Sequence, residues 1–173
     1  MRIDLRLFGE LTAGERTALD GLRSEIDFGT PPYLWEPAEA RPWRFLVWDG
    51  ERLVSHVGVL ERTVRVGGQP LHVAGVYSVM TRPCDRGRGY AGAALERAEA
   101  FMHQELPRAE HGLLMCIDER LPFYRRLGWR RVADRVVFDQ PAGRHVSEIN
   151  TMTLPLRGRD WPPGEVDLCG LPW

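Results

Sequence analysis

The stretch "RPCDRGRGYAGAALERAEAFM", Arg82 to Met102, decides the reading of this chain. Gly87, Gly89 and Gly92 spell G-x-G-x-x-G, and apolar residues then recur at helical spacing. Ala91, Ala94, Leu95, Ala98, Phe101 and Met102 make one stripe, with Glu96 and Arg97 directed elsewhere. Small residues near the start of the stripe let the helix lie close to a sheet. Arg86, Arg88 and a run of backbone N–H groups converge at the helix start, which carries about half a positive charge. That arrangement suits an anion. The plain alternative is a glycine turn that only starts a packed helix. In the anion reading the working residues are Arg86 to Ala91, and Gly92 is expected to serve helix packing.

The anion is open at this point. A dinucleotide fits the letter of the motif, and Asp118 stands where a ribose-binding acid, expected ~20 residues on, would fall. The context argues against it. Arg82 to Arg86 separate the glycines from the preceding strand, a meander comes before them, and too little chain follows for a second mononucleotide half. A Walker loop fails outright, because all 23 basic residues are arginine. The absence of lysine, for which codon bias is the bland reading, also removes Schiff-base and kinase chemistry.

Outward from the loop, the chain reads as α/β. Residues 2–8 form a strand, and Thr12 caps a helix reaching Leu22. Residues 27–42 are a long Pro- and aromatic-rich connection. Strands follow at 43–49, at Arg52 to Val66 with a phase slip near Leu60-Glu61, and at 71–81. After the glycine loop and its helix come a strand at 112–118 and a short helix at 119–128. Two further strands, "WRRVADRVVFD" and "HVSEINTMTLPL", precede an irregular tail. The order places one β-α-β crossover after an antiparallel meander. Residues 1–173 are expected to be one domain, with 157–173 its irregular C-terminal tail.

Composition sets broad limits. A chain of 173 residues lies within the usual ~50–250 of a single domain. A formal net charge of −1 argues against a nucleic-acid binder, and no apolar run has the length of a membrane span. "MRIDLRLFGE" lacks the pattern of a signal peptide. Cys84, Cys116 and Cys169 are widely spaced, and the five histidines show no ligand spacing. A cytoplasmic protein without a metal is the expectation.

Arg86-x-x-Gly89-x-Ala91, after a strand carrying "VYSVMTRP", resembles the R/Q-x-x-G-x-G/A signature of the GCN5-related N-acetyltransferases. "FYRRLGW" (123–129) is similar to the second signature of that family, a tyrosine on a short helix followed by Gly-aromatic. The resemblance covers the element order from Met1 to about Leu156. It implies a mixed, mostly antiparallel sheet flanked by helices, with a splayed slot for acetyl-CoA between the strands at 76–81 and 112–118. It implies that Arg86, Gly87, Arg88, Gly89, Tyr90 and Ala91 hold the pyrophosphate. Val79, Met80 and Thr81 would offer backbone groups to the pantetheine, as a peptide adds to a sheet edge.

Acetyl transfer to an amine needs a free amine, a polarised thioester carbonyl and a proton for the thiolate. By resemblance Tyr124 is the acid, with simple packing as its alternative. Backbone N–H groups around Val79 are placed to polarise the thioester. The base is unassigned: many relatives carry a glutamate where this strand has Tyr77, which either holds a water or packs. Glu36, Asp118 and Glu148 are other carboxylates of interest, Asp118 more as a helix cap.

A narrower resemblance, carried by residues 55–83 and by "GEVDLCGLPW" (164–173), is to the aminoglycoside 2′-N-acetyltransferases. It implies a catalytic role for the terminal carboxylate of Trp173. The acidic positions of that group fall at Tyr77 and Leu171 here, so architecture rather than substrate is shared. Trp35, Glu36 and Glu148 are the acceptor-binding candidates, with Tyr33, Trp43, Asp27 and Glu39 nearby in the sequence. The function expected is acetyl-CoA-dependent N-acetylation of a small primary amine, with a homodimer allowed by the family's habit. The alternatives are a non-catalytic acyl-CoA sensor on the same fold and an N-acyltransferase with a longer donor.

Overall fold

The computed structural model describes residues 1–26 and 33–173. They form two compact units, each drawn from several stretches of chain.

The first unit comprises residues 1–26, 37–60 and 77–100. Strand β1 (Arg2–Leu7) pairs antiparallel with β2 (Trp43–Asp49), from Arg2 opposite Trp48 to Leu7 opposite Trp43. Between them, α1 (Ala13–Ser24) starts at a reciprocal cap: the Thr12 hydroxyl accepts from the Glu15 N–H, and the Glu15 carboxylate accepts from the Thr12 N–H. Leu22 is the fully buried residue of this helix, packed with Leu11, Leu46, Trp48, Leu53 and Met80.

Strand β2 pairs antiparallel with the first part of β3 (Arg52–Val66). The register shifts between Val47–Ser55 and Trp48–Leu53, leaving Val54 as the extra residue. On this edge, which reaches Val59, the irregularity lies at Val54. The phase change at Leu60-Glu61 instead marks where β3 passes from burial on both faces to alternation. The last part of β4 (Gln69–Thr81) and the first part of α2 (Tyr90–Glu105) complete the unit. Ala94, Leu95 and Ala98 are buried, as the stripe requires.

The second unit comprises residues 33–36, 61–76 and 101–173. Its parallel pair joins β4 to β5 (His111–Cys116), Val73 to Val76 against His111 to Leu114. A parallel neighbour needs a crossover, and the chain between the two strands supplies it through α2. The ladder ends at Val76–Leu114, whereas β4 continues as a strand to Thr81 and β5 to Cys116. Strand β9 (Asn150–Pro155) pairs antiparallel with β5, and β6 (Arg130–Arg131) with β9. Between β5 and β6 lies α3 (Leu121–Arg126), closed by Gly128 at φ +86.

Strands β7 (Val136–Gln140) and β8 (Gly143–Val146) form a hairpin. The tail is not wholly irregular, because β10 (Val166–Asp167) pairs with β3 antiparallel and with β7 parallel. Where two strands are expected after α3, four short ones occur, because Ala133-Asp134 interrupts the first run and Ser147-Glu148 the second. The core includes Leu113, Leu114, Phe138, Met152 and Leu168, all essentially without exposure. In both units most pairs are antiparallel, as expected for the fold class. No described helix is long and apolar enough to cross a membrane.

Candidate functional site

The first unit carries every candidate for binding the cofactor. The chain leaves β4 at Arg82, whose N–H donates to the Val54 carbonyl and whose Nε donates to that of Leu53. Its guanidinium also pairs with Glu25. One helical turn, Pro83–Asp85, then buries Asp85 to 1% exposure. That carboxylate receives Arg52 at 2.9–3.0 Å and Arg88 at 3.3 Å. The buried anion therefore holds Arg88 beside the glycines.

Gly87 (φ +79) and Gly89 (φ +83) both take left-handed conformations, and a Cβ on either would meet open space. Glycine is required here by the backbone, not by crowding. The Gly89 carbonyl accepts the Ala93 N–H at 3.0 Å, so the first amides of α2 have no partner within the helix. Arg86 and Arg88 are exposed. The Tyr90 hydroxyl donates to Asp49 at 2.8 Å, which ties the first turn down. Nothing lies within 4 Å of a Cβ on Gly92, so tight packing is not its reason. An open ring of amides at a helix start, flanked by two exposed arginines, fits the pyrophosphate of acetyl-CoA.

Val79, Met80 and Thr81 follow Ser78, which stands at φ +46 inside β4. A non-glycine residue in that region is uncommon and marks a local bend. Side chains of β3 secure the bend. Ser55 donates to the Met80 carbonyl at 2.5 Å, and His56 Nδ1 lies 2.8 Å from the Ser78 carbonyl. Sequence reasoning missed both. The signal was there: a Ser-His pair within the otherwise apolar "LVSHVGVL".

Tyr77 packs. Its hydroxyl donates to the carbonyls of Arg41 (2.8 Å) and Trp43 (3.1 Å), and burial pushes its pKa up to about 12. Arg41 and Arg44 lie over its ring at 4.8 and 5.6 Å. The adjacent strand leaves room for the ring only through Gly58, where a Cβ would fall 2.1 Å from Tyr77 Cζ. Of the two roles open to Tyr77, this geometry describes the structural one.

The second unit carries the remaining candidates. Tyr124 on α3 is 6% exposed, edge-on to Phe123 (5.1 Å) and Trp129 (6.3 Å). Its carbonyl accepts the N–H groups of Leu127 and Trp129, the turn that Gly128 completes. Burial drives the phenol pKa well above its ordinary value, so the hydroxyl is protonated throughout the working range.

Glu36 and Trp173 are brought together by a residue the sequence did not single out, Arg62. Its guanidinium pairs with Glu36, donates to the Leu171 carbonyl at 2.6 Å and stacks 5.1 Å from the Trp173 ring. The Glu36 N–H donates to the Pro172 carbonyl at 2.7 Å. Trp35 meets Tyr33 edge-on at 6.3 Å, and the Tyr33 hydroxyl accepts from the Glu148 N–H at 3.4 Å. Glu148 and Asp118 line one cavity of about 270 Å³ with Arg131, Asp134, Arg135 and Asn150. Asp118 does not cap a helix: its carboxylate accepts from Asn150 Nδ2 at 2.7 Å. Asp27 lies outside the described residues. Among the described residues no cluster of three or more His, Cys, Asp or Glu could hold a metal.

Residues 27–132, more than half of the chain, match the Acetyltransferase (GNAT) domain family. The chain belongs to that family: it is an acyltransferase whose co-substrate is acetyl-CoA. No curated protein matches its sequence. Among solved structures it is similar to NAA60 from Arabidopsis thaliana in complex with a bisubstrate analogue (16% identity, TM-score 0.61, covering 91% of this chain and 100% of that one). It is also similar to an acyl-CoA N-acyltransferase from Pseudomonas aeruginosa (16%, 0.61, 88% and 97%). A third is a GNAT acetyltransferase from Brucella melitensis in complex with acetyl-CoA (17%, 0.52, 95% and 94%). At these identities the likeness is one of fold.

Proposed function

We propose that this protein transfers the acetyl group of acetyl-CoA to a primary amine of a small molecule. The observation that carries the reading is the loop at the start of α2. There Gly87 and Gly89 adopt φ near +80 and open their amides, while Asp85 holds Arg88 beside them. Such a loop recognises a diphosphate, and the family recognises it in acetyl-CoA.

In the reaction the amine lone pair attacks the thioester carbon and the carbonyl oxygen gains negative charge. The C–S bond then breaks, leaving an amide and the CoA thiolate; the amine's extra proton goes to water or a base. We assign oxyanion stabilisation to the backbone N–H groups around Val79, beside the Ser78 bend. Tyr124 is assigned to the thiolate. As a protonated phenol it donates a hydrogen bond to the charge developing on the departing sulfur. Tyr77 has no catalytic part in this scheme.

For the acceptor, the half-buried Trp35 offers planar apolar surface, backed by the buried Tyr33, while Glu36 is already neutralised by Arg62. Recognition of the ammonium therefore falls to Glu148, exposed at its cavity. Trp173 is 4% exposed, and its ring anchors the tail against Arg62. A small amine with one apolar face suits these groups better than a polycation. Saturable binding of acetyl-CoA by calorimetry, abolished in Gly89→Glu, tests the reading. Equal binding by both proteins overturns it.

A further inference from the structure

One buried polar side chain has no role in the scheme above. His56 has no solvent exposure, in the middle of β3. Its Nδ1 lies 2.8 Å from the Ser78 carbonyl oxygen, which can only accept, so Nδ1 carries the proton. Its Nε2 is buried and has no hydrogen-bond partner among the described residues. A second N–H there would be stranded, so the ring is the neutral Nδ1–H tautomer, a one-ended clamp. What it clamps is strained: Ser78, at φ +46, sits where side-chain-bearing residues are uncommon. Ser55, the preceding residue, clamps the Met80 carbonyl from the same strand. Two side chains thus bond the carbonyls on either side of Val79, where ladder amides would ordinarily serve. Such a cluster of side-chain bonds around one bend is a device for aiming the peptide groups between them.

We propose that His56 is a positioning residue: its Nδ1–H, bonded to the Ser78 carbonyl, holds the left-handed bend that directs the backbone N–H groups around Val79 at the thioester oxygen. The inference rests on the proposed acetyl transfer and adds to it the element that sets carbonyl polarisation. His56 touches neither substrate; it acts through Ser78.

The test is isotope-edited infrared spectroscopy of bound acetyl-CoA carrying ¹³C at the thioester carbonyl, together with steady-state kinetics. Wild type, His56→Leu and His56→Asn are compared, the last placing an amide N–H where Nδ1 stood. In the wild type the bound carbonyl band lies below that of the free thioester. In His56→Leu most of that displacement is lost and kcat falls roughly 10²-fold, the scale of losing one oxyanion donor. The dissociation constant for CoA stays within about threefold, because the loop that binds it is untouched. His56→Asn recovers both the band and most of kcat. A wild-type band and kcat in folded His56→Leu overturns the inference. So does His56→Asn, if it folds and binds CoA yet behaves no better than His56→Leu. Should His56→Leu fail to fold, His56→Leu with Ser78→Gly replaces it. Glycine accepts φ +46 without a clamp, so the account expects the band to return; an undisplaced band contradicts it. A wild type that binds no acetyl-CoA instead removes the functional reading itself, a distinct outcome.

Discussion

The carboxylate of Asp85, almost without solvent exposure, is shared between Arg52 on β3 and Arg88 in the glycine loop. This one buried anion links the strand that supports the loop to the cation that flanks the phosphate site. Both arginines are half exposed and can be rehydrated, so removing the acid does not strand a buried charge. Asp85→Ala is expected to cost about 1–3 kcal/mol of stability, the value of lost charge-assisted bonds. It should also weaken acetyl-CoA binding roughly tenfold, since Arg88 loses its orientation. Denaturant melts and calorimetry read the two effects separately.

Much of this loop was legible in the sequence. Gly87 and Gly89 were marked by spacing alone, and both prove to need positive φ. Gly92, set apart in the sequence as a packing residue, instead has open space around it, because helical position alone does not tell which side of a helix start is covered. Arg62 and His56 were missed for a different reason. Each acts through a partner more than 20 residues away, Glu36 and Ser78, and no local period encodes such a pairing. That β6 and β8 are separate short strands, and that β10 exists, was also out of reach, since two to four residues carry too little alternation to read.

Tyr77 provides a clean separation of packing from chemistry. Its hydroxyl serves two carbonyls, and its ring occupies the space Gly58 leaves open. Tyr77→Phe should lose about 1–2 kcal/mol of stability, the worth of one buried donor, and leave kcat within about twofold. Gly58→Ala should be the more damaging change, because its Cβ would overlap the ring. A cost of about 2–3 kcal/mol is expected from overpacking. Thermal melts and initial rates check both.

The buried His56 makes stability depend on pH. Burial, reinforced by the charges of Arg44, Arg41 and Arg23 and opposed by the Ser78 bond, lowers its pKa to about 3. The unfolded chain has the ordinary value near 6.5. Between those values the unfolded state binds the extra proton, so stability rises with pH through this window. It is fully present above about pH 6.5 and is lost progressively as the pH falls toward 3. Every tenfold loss of proton affinity on folding corresponds to about 1.4 kcal/mol, so the full effect amounts to several kcal/mol. Urea midpoints measured from pH 7 to pH 4 should fall more steeply for the wild type than for His56→Asn. Parallel slopes would contradict the assignment.

Arg62 holds the tail through Glu36, the Leu171 carbonyl and the Trp173 ring. Arg62→Ala removes all three contacts and leaves the Glu36 carboxylate, largely buried, without its cation. A loss of about 3 kcal/mol is expected, together with faster proteolysis after residue 168. Glu36→Gln with Arg62→Leu should recover part of that stability, because the unpaired charge is then gone. Limited proteolysis followed by mass spectrometry shows whether the tail has been freed.

Acyl transfer itself is tested most directly at Tyr124. The measurement is the rate of CoA thiol release from acetyl-CoA across a panel of primary amines, for the wild type and Tyr124→Phe. The account predicts amine-dependent release by the wild type and a fall in kcat of roughly 10²-fold in the variant. Affinity for CoA should be unchanged, since Tyr124 is not part of the glycine loop. Amine-dependent release at the wild-type rate in a folded Tyr124→Phe protein would contradict the role given to this phenol. Absence of release by the wild type with every amine would contradict the small-molecule acceptor.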